Sequence, residues 1–320
     1  SMSSSLLLVR RARLAMLALA CAAPSLAVFA QNPQPPAPVP AQDQQQDPDK
    51  AAGRQNQKIE RIHVEDSGAT IDELRVGGCA GNSALTLKAL GAPFALAASI
   101  GSDRFGAWLA EEFGEQSKRW RKHPENTTIS VGITHPDGER TFFTTLGHLP
   151  HYGAADVLAV LDGEAHRDGY ALFAGPFLMP RLAGEYDQLY DWADRFGIRV
   201  ALDTGWPPAG WKPAVVSAAK GWLARSSIAL FNEVETTSIT GRNDVRDAAR
   251  AMLDLMPDGA VAVVKRGPHG ALAASGAVLV EVAAPAVKVI DTIGAGDVFN
   301  AGFLAALAAG KSLEDSLAAG

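Results

Sequence analysis

From Leu74 onward, apolar runs rich in β-branched residues alternate with helix-like stretches, and this alternation constrains the fold more than any other feature of the chain. The candidate strands are Ala95–Ile100, Ile129–Thr134, Tyr170–Phe173, Ile198–Asp203, Ile228–Asn232 and Ala260–Lys265. The candidate helices are Arg181–Phe196, Pro213–Leu223 and Val245–Met256. Strands that alternate with helices of this length favour right-handed crossovers and a parallel sheet covered on both faces. The pattern predicts an α/β fold around a mostly parallel sheet.

Polar residues stand where three of these candidate strands end, at Asp203, Asn232 and Lys265. In open α/β sheets the ligand binds beyond the carboxyl ends of the strands. We therefore expect these three side chains to face one crevice. Residues 129–134 and 141–145 follow a different pattern, because the turn 135–138 that joins them predicts a β-hairpin.

The composition excludes several classes of protein. Hydrophobic residues make up 47% and charged residues 20% of the 320 positions, which is ordinary for a soluble globular enzyme and excludes a disordered chain. The net charge of −6 argues against nucleic-acid binding, because contacts to phosphates need an excess of Lys and Arg. Two cysteines, Cys21 and Cys79, cannot build a disulfide framework or a zinc site.

The N-terminal residues have a different character from the rest of the chain. Arginines at positions 10, 11 and 13 precede the apolar run Leu14–Ala30, which is the layout of a secretory signal peptide and, with Pro24, a poor transmembrane span. Residues 31–58 form a Pro- and Gln-rich linker, and residues 59–66 predict one edge strand. We expect a signal-peptide-like leader over 1–30, outside the fold, and the globular domain over 59–320. A disordered or cloning-derived leader is the alternative.

The most informative motif is Asp291-Thr292-Ile293-Gly294-Ala295-Gly296-Asp297, which precedes an apolar helical pattern. Gly294, Ala295 and Gly296 would open that helix, where free N–H groups and the helix dipole favour an anion. The dipole would also favour ionisation of Asp297, which suits a base that takes a proton from an attacking hydroxyl. A glycine turn followed by an ordinary N-terminal helix acid is the alternative for this motif.

In context, the motif resembles the C-terminal signature of the ribokinase-like (phosphofructokinase-B type) carbohydrate kinases. The segments Gly77–Ala84 and Gly101–Gly106 resemble the family's N-terminal counterpart, and the resemblance covers about residues 74–320. It implies a three-layer sandwich with a small β lid, and ATP-dependent phosphorylation of a hydroxyl of a small sugar. It also implies Mg²⁺, K⁺ in some members, a homodimer in many, and a cytoplasmic location.

The resemblance also implies roles for individual positions. The catalytic group comprises Asp297 as general base and Gly294, Ala295 and Gly296 as the anion hole. The substrate-binding group comprises Gly77, Gly78, Asn82 and Glu139. The nucleotide-binding group comprises Asn232, Lys265 (where Thr is common), Gly267, Gly270 and Thr292. The metal-binding group comprises Glu235 for magnesium and Asp291 near a monovalent cation. A solvated hairpin acid is the alternative role for Glu139, and an ordinary helix N-cap is the alternative for Asn82.

Two departures from the family pattern lead to further expectations. The family begins with a core strand that ends in a sugar-binding acid well before the double glycine, whereas Asp66 stands only 11 positions before Gly77. The chain stops at Gly320, just after Ser312 has capped a new helix. We expect a kinase domain incomplete at both ends, without its central first strand. The alternatives are a nucleoside kinase of the same fold and a catalytically inactive, periplasmic sugar-binding module.

Overall fold

The computed structural model describes residues 17–19, 26–31, 70–134, 140–287, 289 and 292–320. Its strands, numbered in chain order, are β1 Leu17–Leu19, β2 Leu26–Gln31, β3 Thr70–Arg75, β4 Ala95–Ala97, β5 Ser99–Gly101, β6 Arg121–His123, β7 Ile129–Thr134, β8 Arg140–Thr144, β9 Tyr170–Ala174, β10 Arg199–Asp203, β11 Ile228–Asn232, β12 Val261–Lys265, β13 Ala271–Ser275 and β14 Val278–Val282. Within the described ranges, eight of them form the main sheet, in the order β14-β13-β12-β11-β10-β9-β1-β4.

The helices are α1 Cys79–Ala89, α2 Arg104–Phe113, α3 Ala154–Leu158, α4 Pro180–Gly184, α5 Tyr186–Arg195, α6 Pro213–Leu223, α7 Glu233–Thr240, α8 Val245–Leu253, α9 Ala295–Ala308 and α10 Leu313–Ala319. Short 3-10 turns span Gly114–Arg119, Leu149–His151, Pro176–Leu178 and Gly267–His269. The helix predicted over Arg181–Phe196 is divided at Glu185 into α4 and α5. The helix expected after Ser312 is confirmed, since the Ser312 hydroxyl accepts from the Asp315 N–H at 3.0 Å.

The main sheet is parallel except at one edge, as the alternation predicts. The pairs β12–β13 and β13–β14 are antiparallel, and the other neighbouring strands run parallel. Strands β13 and β14 were not among the predicted strands. The strand β13 reads Ala-Leu-Ala-Ala-Ser, which has no β-branched residue to indicate a strand.

The sheet is buried on both faces, which makes the domain a three-layer sandwich. Successive residues of β9 enter different clusters: Phe173 packs with Tyr186 and Tyr190, whereas Leu172 packs with Phe303 of α9. Because neighbouring side chains of a strand point to opposite faces, helices cover both sides. Among the described residues, no helix is both long and apolar enough to cross a membrane.

A second, smaller sheet forms the expected β lid. Its order is β3-β2-β7-β8, and the predicted hairpin is confirmed because β7 and β8 pair antiparallel. The turn residues 135–139 lie outside the described residues. The strand predicted over Ala95–Ile100 is divided, because β4 joins the main sheet while β5 pairs with β6.

The N-terminal strands correct one expectation. The strand β1 lies between β4 and β9, with Leu17 opposite both Ala95 and Ala171, and β2 lies between β3 and β7. The expectations that this segment lies outside the fold and that a central strand is missing are wrong for β1 and β2. The physical reason is that a short apolar run fits a buried parallel strand as well as it fits a signal peptide. The predicted edge strand at 59–66 lies outside the described residues, and export by residues 1–30 stays a prediction.

Candidate active site

A cavity of about 680 Å³ lies at the carboxyl ends of β10, β11 and β12, against the start of α9. Its polar lining consists of Cys79, Asp203, Asn232, Glu235, Lys265 and Asp297. Its apolar lining includes Ala283, Ala284, Pro285, Phe299 and Leu317. The three strand-end residues predicted to share one crevice therefore do so, because the strands that carry them are parallel neighbours.

The glycines of the Gly-Ala-Gly motif stand at the start of α9, as the motif predicts. Gly294 is the N-cap, with a left-handed φ of 75°, and a Cβ there would lie 2.9 Å from Asn82 Nδ2. A Cβ at Gly296 would lie 3.4 Å from Lys265 Nζ. A side chain at Gly294 would thus press on Asn82, whereas one at Gly296 would come into van der Waals contact with Lys265. The first N–H groups of a helix lack partners within it, so this turn can receive an anion.

Asp297 lies in the first turn of α9 and is held from α1. Its Oδ2 accepts from Asn82 Nδ2 at 2.8 Å, and its main-chain oxygen accepts from Ser83 Oγ at 3.0 Å. Burial raises the pKa of the Asp297 carboxyl to about 6, although the Asn82 hydrogen bond lowers it. The motif predicted that the helix dipole would favour the ionised form, but burial and the charge of Asp203 raise the pKa instead.

The substrate-side segment differs in detail from what the sequence predicts. Helix α1 begins at Cys79, and its N-cap is Gly78, with φ of 78°. Asn82 therefore stands inside the first turns rather than at the cap, and its amide reaches across to Asp297. Cys79, which the sequence analysis did not single out, also donates a hydrogen bond that lowers the pKa of Asp297.

Lys265 lies in a buried network that sequence reasoning did not foresee. Its ammonium donates to Asp203 Oδ2 at 2.7 Å and to Asn300 Oδ1 at 3.2 Å, and Asn300 Nδ2 donates to the same Asp203 oxygen at 2.5 Å. Burial lowers the pKa of Lys265, but the charges of Asp203 and Glu235 outweigh it and raise the pKa overall. A lone Asn in the apolar helix pattern of α9 is the signal that could have found Asn300.

Asn232 and Glu235 form a reciprocal cap at the start of α7. The Glu235 N–H donates to Asn232 Oδ1 and the Asn232 N–H donates to Glu235 Oε2, both at 2.8 Å. Glu235 is buried, and burial together with the charge of Asp203 raises its pKa. In the described ranges, no group of three or more His, Cys, Asp or Glu side chains could hold a metal ion.

The remaining predicted site residues are distributed unevenly. Gly267 and Gly270 line the cavity, and a Cβ at Gly270 would lie 1.9 Å from the Val282 oxygen, so the close approach of the strands requires glycine there. Thr292 is exposed beside the start of α9. Glu139 and Asp291 lie outside the described residues.

A three-layer sandwich with a β lid, and a glycine-opened helix beside a carboxylate, is the framework of a small-molecule phosphotransferase. The family model of the pfkB family carbohydrate kinases matches residues 58–320, and the chain belongs to this family. It is therefore a phosphotransferase that acts on an alcohol group, and the expected family and fold are confirmed.

Individual relatives agree with this assignment. The chain is 30% identical to a fructokinase of Rhizobium leguminosarum bv. trifolii over 241 residues, which cover 72% of this chain and 71% of that enzyme. It is 33% identical to a 1-phosphofructokinase of Rhodobacter capsulatus over 135 residues, covering 42% of this chain and only 40% of that enzyme. The ribokinase of Arabidopsis thaliana, solved with ribose and ATP, superposes with a TM-score of 0.66 at 22% identity, covering 92% of this chain and 87% of that one.

Proposed function

We propose that this chain transfers the terminal phosphoryl group of ATP to a hydroxyl of a small sugar, with Asp297 as general base. The observation that carries the proposal is the position of the Asp297 carboxylate, in the first turn of α9 directly after Gly294–Gly296. A carboxylate beside an anion-binding helix start can accept a proton at the place where phosphoryl charge is stabilised.

The proposed reaction divides the work between two parts of the motif. The sugar hydroxyl loses its proton to an Asp297 Oδ as its oxygen bonds to phosphorus, and the bond from that phosphorus to ADP breaks. Gly294 and Gly296 offer main-chain N–H groups to the phosphoryl oxygens, and Ala295 can do so in exchange for the 3.2 Å hydrogen bond that its N–H donates to the Thr292 oxygen. The Asn82 hydrogen bond, 2.8 Å long, keeps the Asp297 carboxylate oriented and favours its ionised form.

The cavity fits a nucleotide in size and chemistry. Its volume of about 680 Å³ is in the range of small-molecule sites, and its apolar lining can cover a base. Gly267 and Gly270 bound the same cavity, and the open space beside Gly267 leaves room for a ligand to approach the main chain there. We therefore place the base of ATP against the apolar lining and its phosphates toward α9.

The described residues fit Mg²⁺ held mostly through water and phosphate. Mg²⁺ commonly uses only one or two protein carboxylates and keeps several waters. Glu235 and Asn232 line the cavity and offer such oxygens, with no larger acidic cluster among the described residues. When bound, Mg²⁺ would neutralise phosphate charge. A monovalent cation near Asp291 and Thr292 stays a prediction from the resemblance, as do the homodimer and the cytoplasmic location.

On the sugar side, we propose that Gly77 and Gly78 admit hydroxyls close to the main chain at the start of α1, with Asn82 beside them. A sugar-binding role for Glu139 stays a prediction from the resemblance. The α1 N-cap at Gly78 leaves the first N–H groups of that helix available to a hydroxyl.

The test is an ADP-release assay with Mg²⁺·ATP and separate panels of hexoses, pentoses, sugar phosphates and nucleosides, on wild type and Asp297→Asn. We expect turnover with a member of the sugar panels that depends on Asp297. Turnover with nucleosides alone would establish the nucleoside kinase instead. Binding of a sugar without any turnover, in calorimetry, would favour the inactive binding module.

A further inference from the structure

Lys265 holds a charged nitrogen directly beside the anion-binding turn of α9. Its side chain is 14% exposed, and its Nζ lies 3.4 Å from the position that a Cβ of Gly296 would occupy. The residue also lines the cavity. An ammonium has three donors, and two of them are used by Asp203 and Asn300. The third is available to a group in the cavity.

The neighbours of Lys265 fix its position from two different elements. Asp203 ends β10 and is 6% exposed, and Asn300 lies one turn into α9 and is fully buried. Asn300 Nδ2 donates to the Asp203 oxygen that also accepts from Lys265, so each member of this triad contacts the other two. Asn300 is neutral, so within this triad the charge of the Asp203 carboxylate is balanced by the charge of the Lys265 ammonium. The raised pKa of Lys265 agrees with a permanently charged ammonium.

We propose that Lys265 is a catalytic residue whose ammonium donates a hydrogen bond to an oxygen of the transferred phosphoryl group, with Asp203 and Asn300 as positioning residues. This assignment rests on the proposed function and refines it, because the residue was expected only as part of a nucleotide loop. Lys265 keeps its proton throughout. The hydroxyl proton passes to Asp297, the sugar oxygen bonds to phosphorus, and the bond to ADP breaks.

A purely structural ion pair between β10 and β12 is the competing explanation. A buried pair often adds little net stability, whereas removing one partner leaves an uncompensated charge that is strongly destabilising. Lys265→Met alone would leave the buried Asp203 carboxylate without a compensating positive charge. The double variant Asp203→Asn with Lys265→Met removes both charges, so it separates a folding defect from a loss of the phosphoryl contact.

The first test measures binding rather than turnover. We compare calorimetric affinities for ADP and for a non-hydrolysable ATP analogue in wild type, the double variant and Lys220→Met, an exposed lysine on α6. Since a hydrogen bond to a charged group is worth on the order of 1.5–3 kcal/mol, we expect the double variant to bind the analogue at least about tenfold more weakly. Its affinity for ADP should stay within about twofold of wild type. Equal losses for both nucleotides, or none for either, would overturn the assignment.

The second test uses turnover with the sugar identified by the ADP-release assay. Removing one donor to a transition-state oxyanion typically costs about 10²–10³-fold in kcat, so we expect a loss of that order with the KM for sugar unchanged. If wild type turns over and Asp297→Asn does not, while the folded double variant keeps its kcat, the Lys265 assignment fails and the proposed function stands. If wild type has no turnover, the proposed function fails, and the nucleotide affinities alone decide the Lys265 assignment.

Discussion

The Nδ2 of Asn82 lies 2.8 Å from the Oδ2 of Asp297, across 215 positions of sequence. This contact joins α1, whose first residues carry the predicted sugar site, to the helix that carries the predicted base. Asn82 therefore contacts the proposed proton acceptor itself, whether or not it also contacts the sugar.

The first prediction concerns this contact. Asn82→Ala should lower kcat and move the acid limb of the kcat/KM profile to higher pH, because the lost hydrogen bond had lowered the pKa of Asp297. Thr86→Ala is the matched control, since its hydroxyl bonds only to the Asn82 main-chain oxygen. If Asn82 contacted only the sugar, Asn82→Ala would instead raise KM and leave the acid limb at the same pH.

The second prediction concerns the base. Asp297→Asn should reduce kcat by about 10²–10⁴-fold, which is the usual contribution of general-base assistance. Nucleotide and sugar affinities should survive, because Asn keeps the shape and leaves the glycine turn intact. Steady-state kinetics with calorimetry on the same preparation test this, and near wild-type turnover would exclude Asp297 as the base.

The third prediction follows from the pKa of Asp297. Because the ionised form accepts the proton, kcat/KM should fall about tenfold per pH unit below a pKa of about 6. Asp297→Asn should remove this limb from any residual activity. A wild-type profile that is flat from pH 5 to 8 would contradict the assignment.

The same pKa predicts a stability effect with a definite sign. The pKa in the folded state is raised above the ordinary value of 3.8, so the stabilising effect of this group is full below about pH 4 and is lost as pH rises through about 6. The unfolding free energy of Asp297→Asn should therefore rise relative to wild type between pH 4 and 7. Denaturant titrations at several pH values measure the difference, and a constant gap would argue against a raised pKa.

The fifth prediction concerns magnesium. Glu235→Gln should raise the magnesium concentration needed for half-maximal rate and slow turnover, while sugar binding stays nearly unchanged. Glu233→Gln is the matched control, because Glu233 lies in the same helical turn but pairs with Arg266. An equal loss of sugar affinity in Glu235→Gln would indicate a structural role for this capping residue.

The sequence predicted the fold class and the strand ends because both depend on local patterns. Alternating apolar runs imply parallel strands, and parallel strands bring Asp203, Asn232 and Lys265 to one edge of the sheet. The pairing of Asn82 with Asp297 could not be predicted in this way, since no local pattern specifies which helix a side chain will meet. Asn300 was missed for the same reason, because its partners lie on other elements.

The N-terminal strand was mistaken for a segment outside the fold for a different physical reason. An apolar stretch of a few residues has the same composition in a signal peptide and in a central parallel strand. A central strand differs from a signal peptide only in having partner strands, and the partners of β1, which are β4 and β9, come much later in the chain.

The position of β1 has a consequence for how the chain is made. Leu17 pairs with Ala171, which is 154 positions later, so the first described strand to leave the ribosome cannot complete its pairing until β9 has been made. Contacts at such long sequence separation form slowly. During synthesis, the same apolar residues would be accessible both to the export machinery and to their place in the sheet. If residues 1–30 direct export, as the sequence predicts, a slower appearance of β9 would give the export machinery more time to bind them.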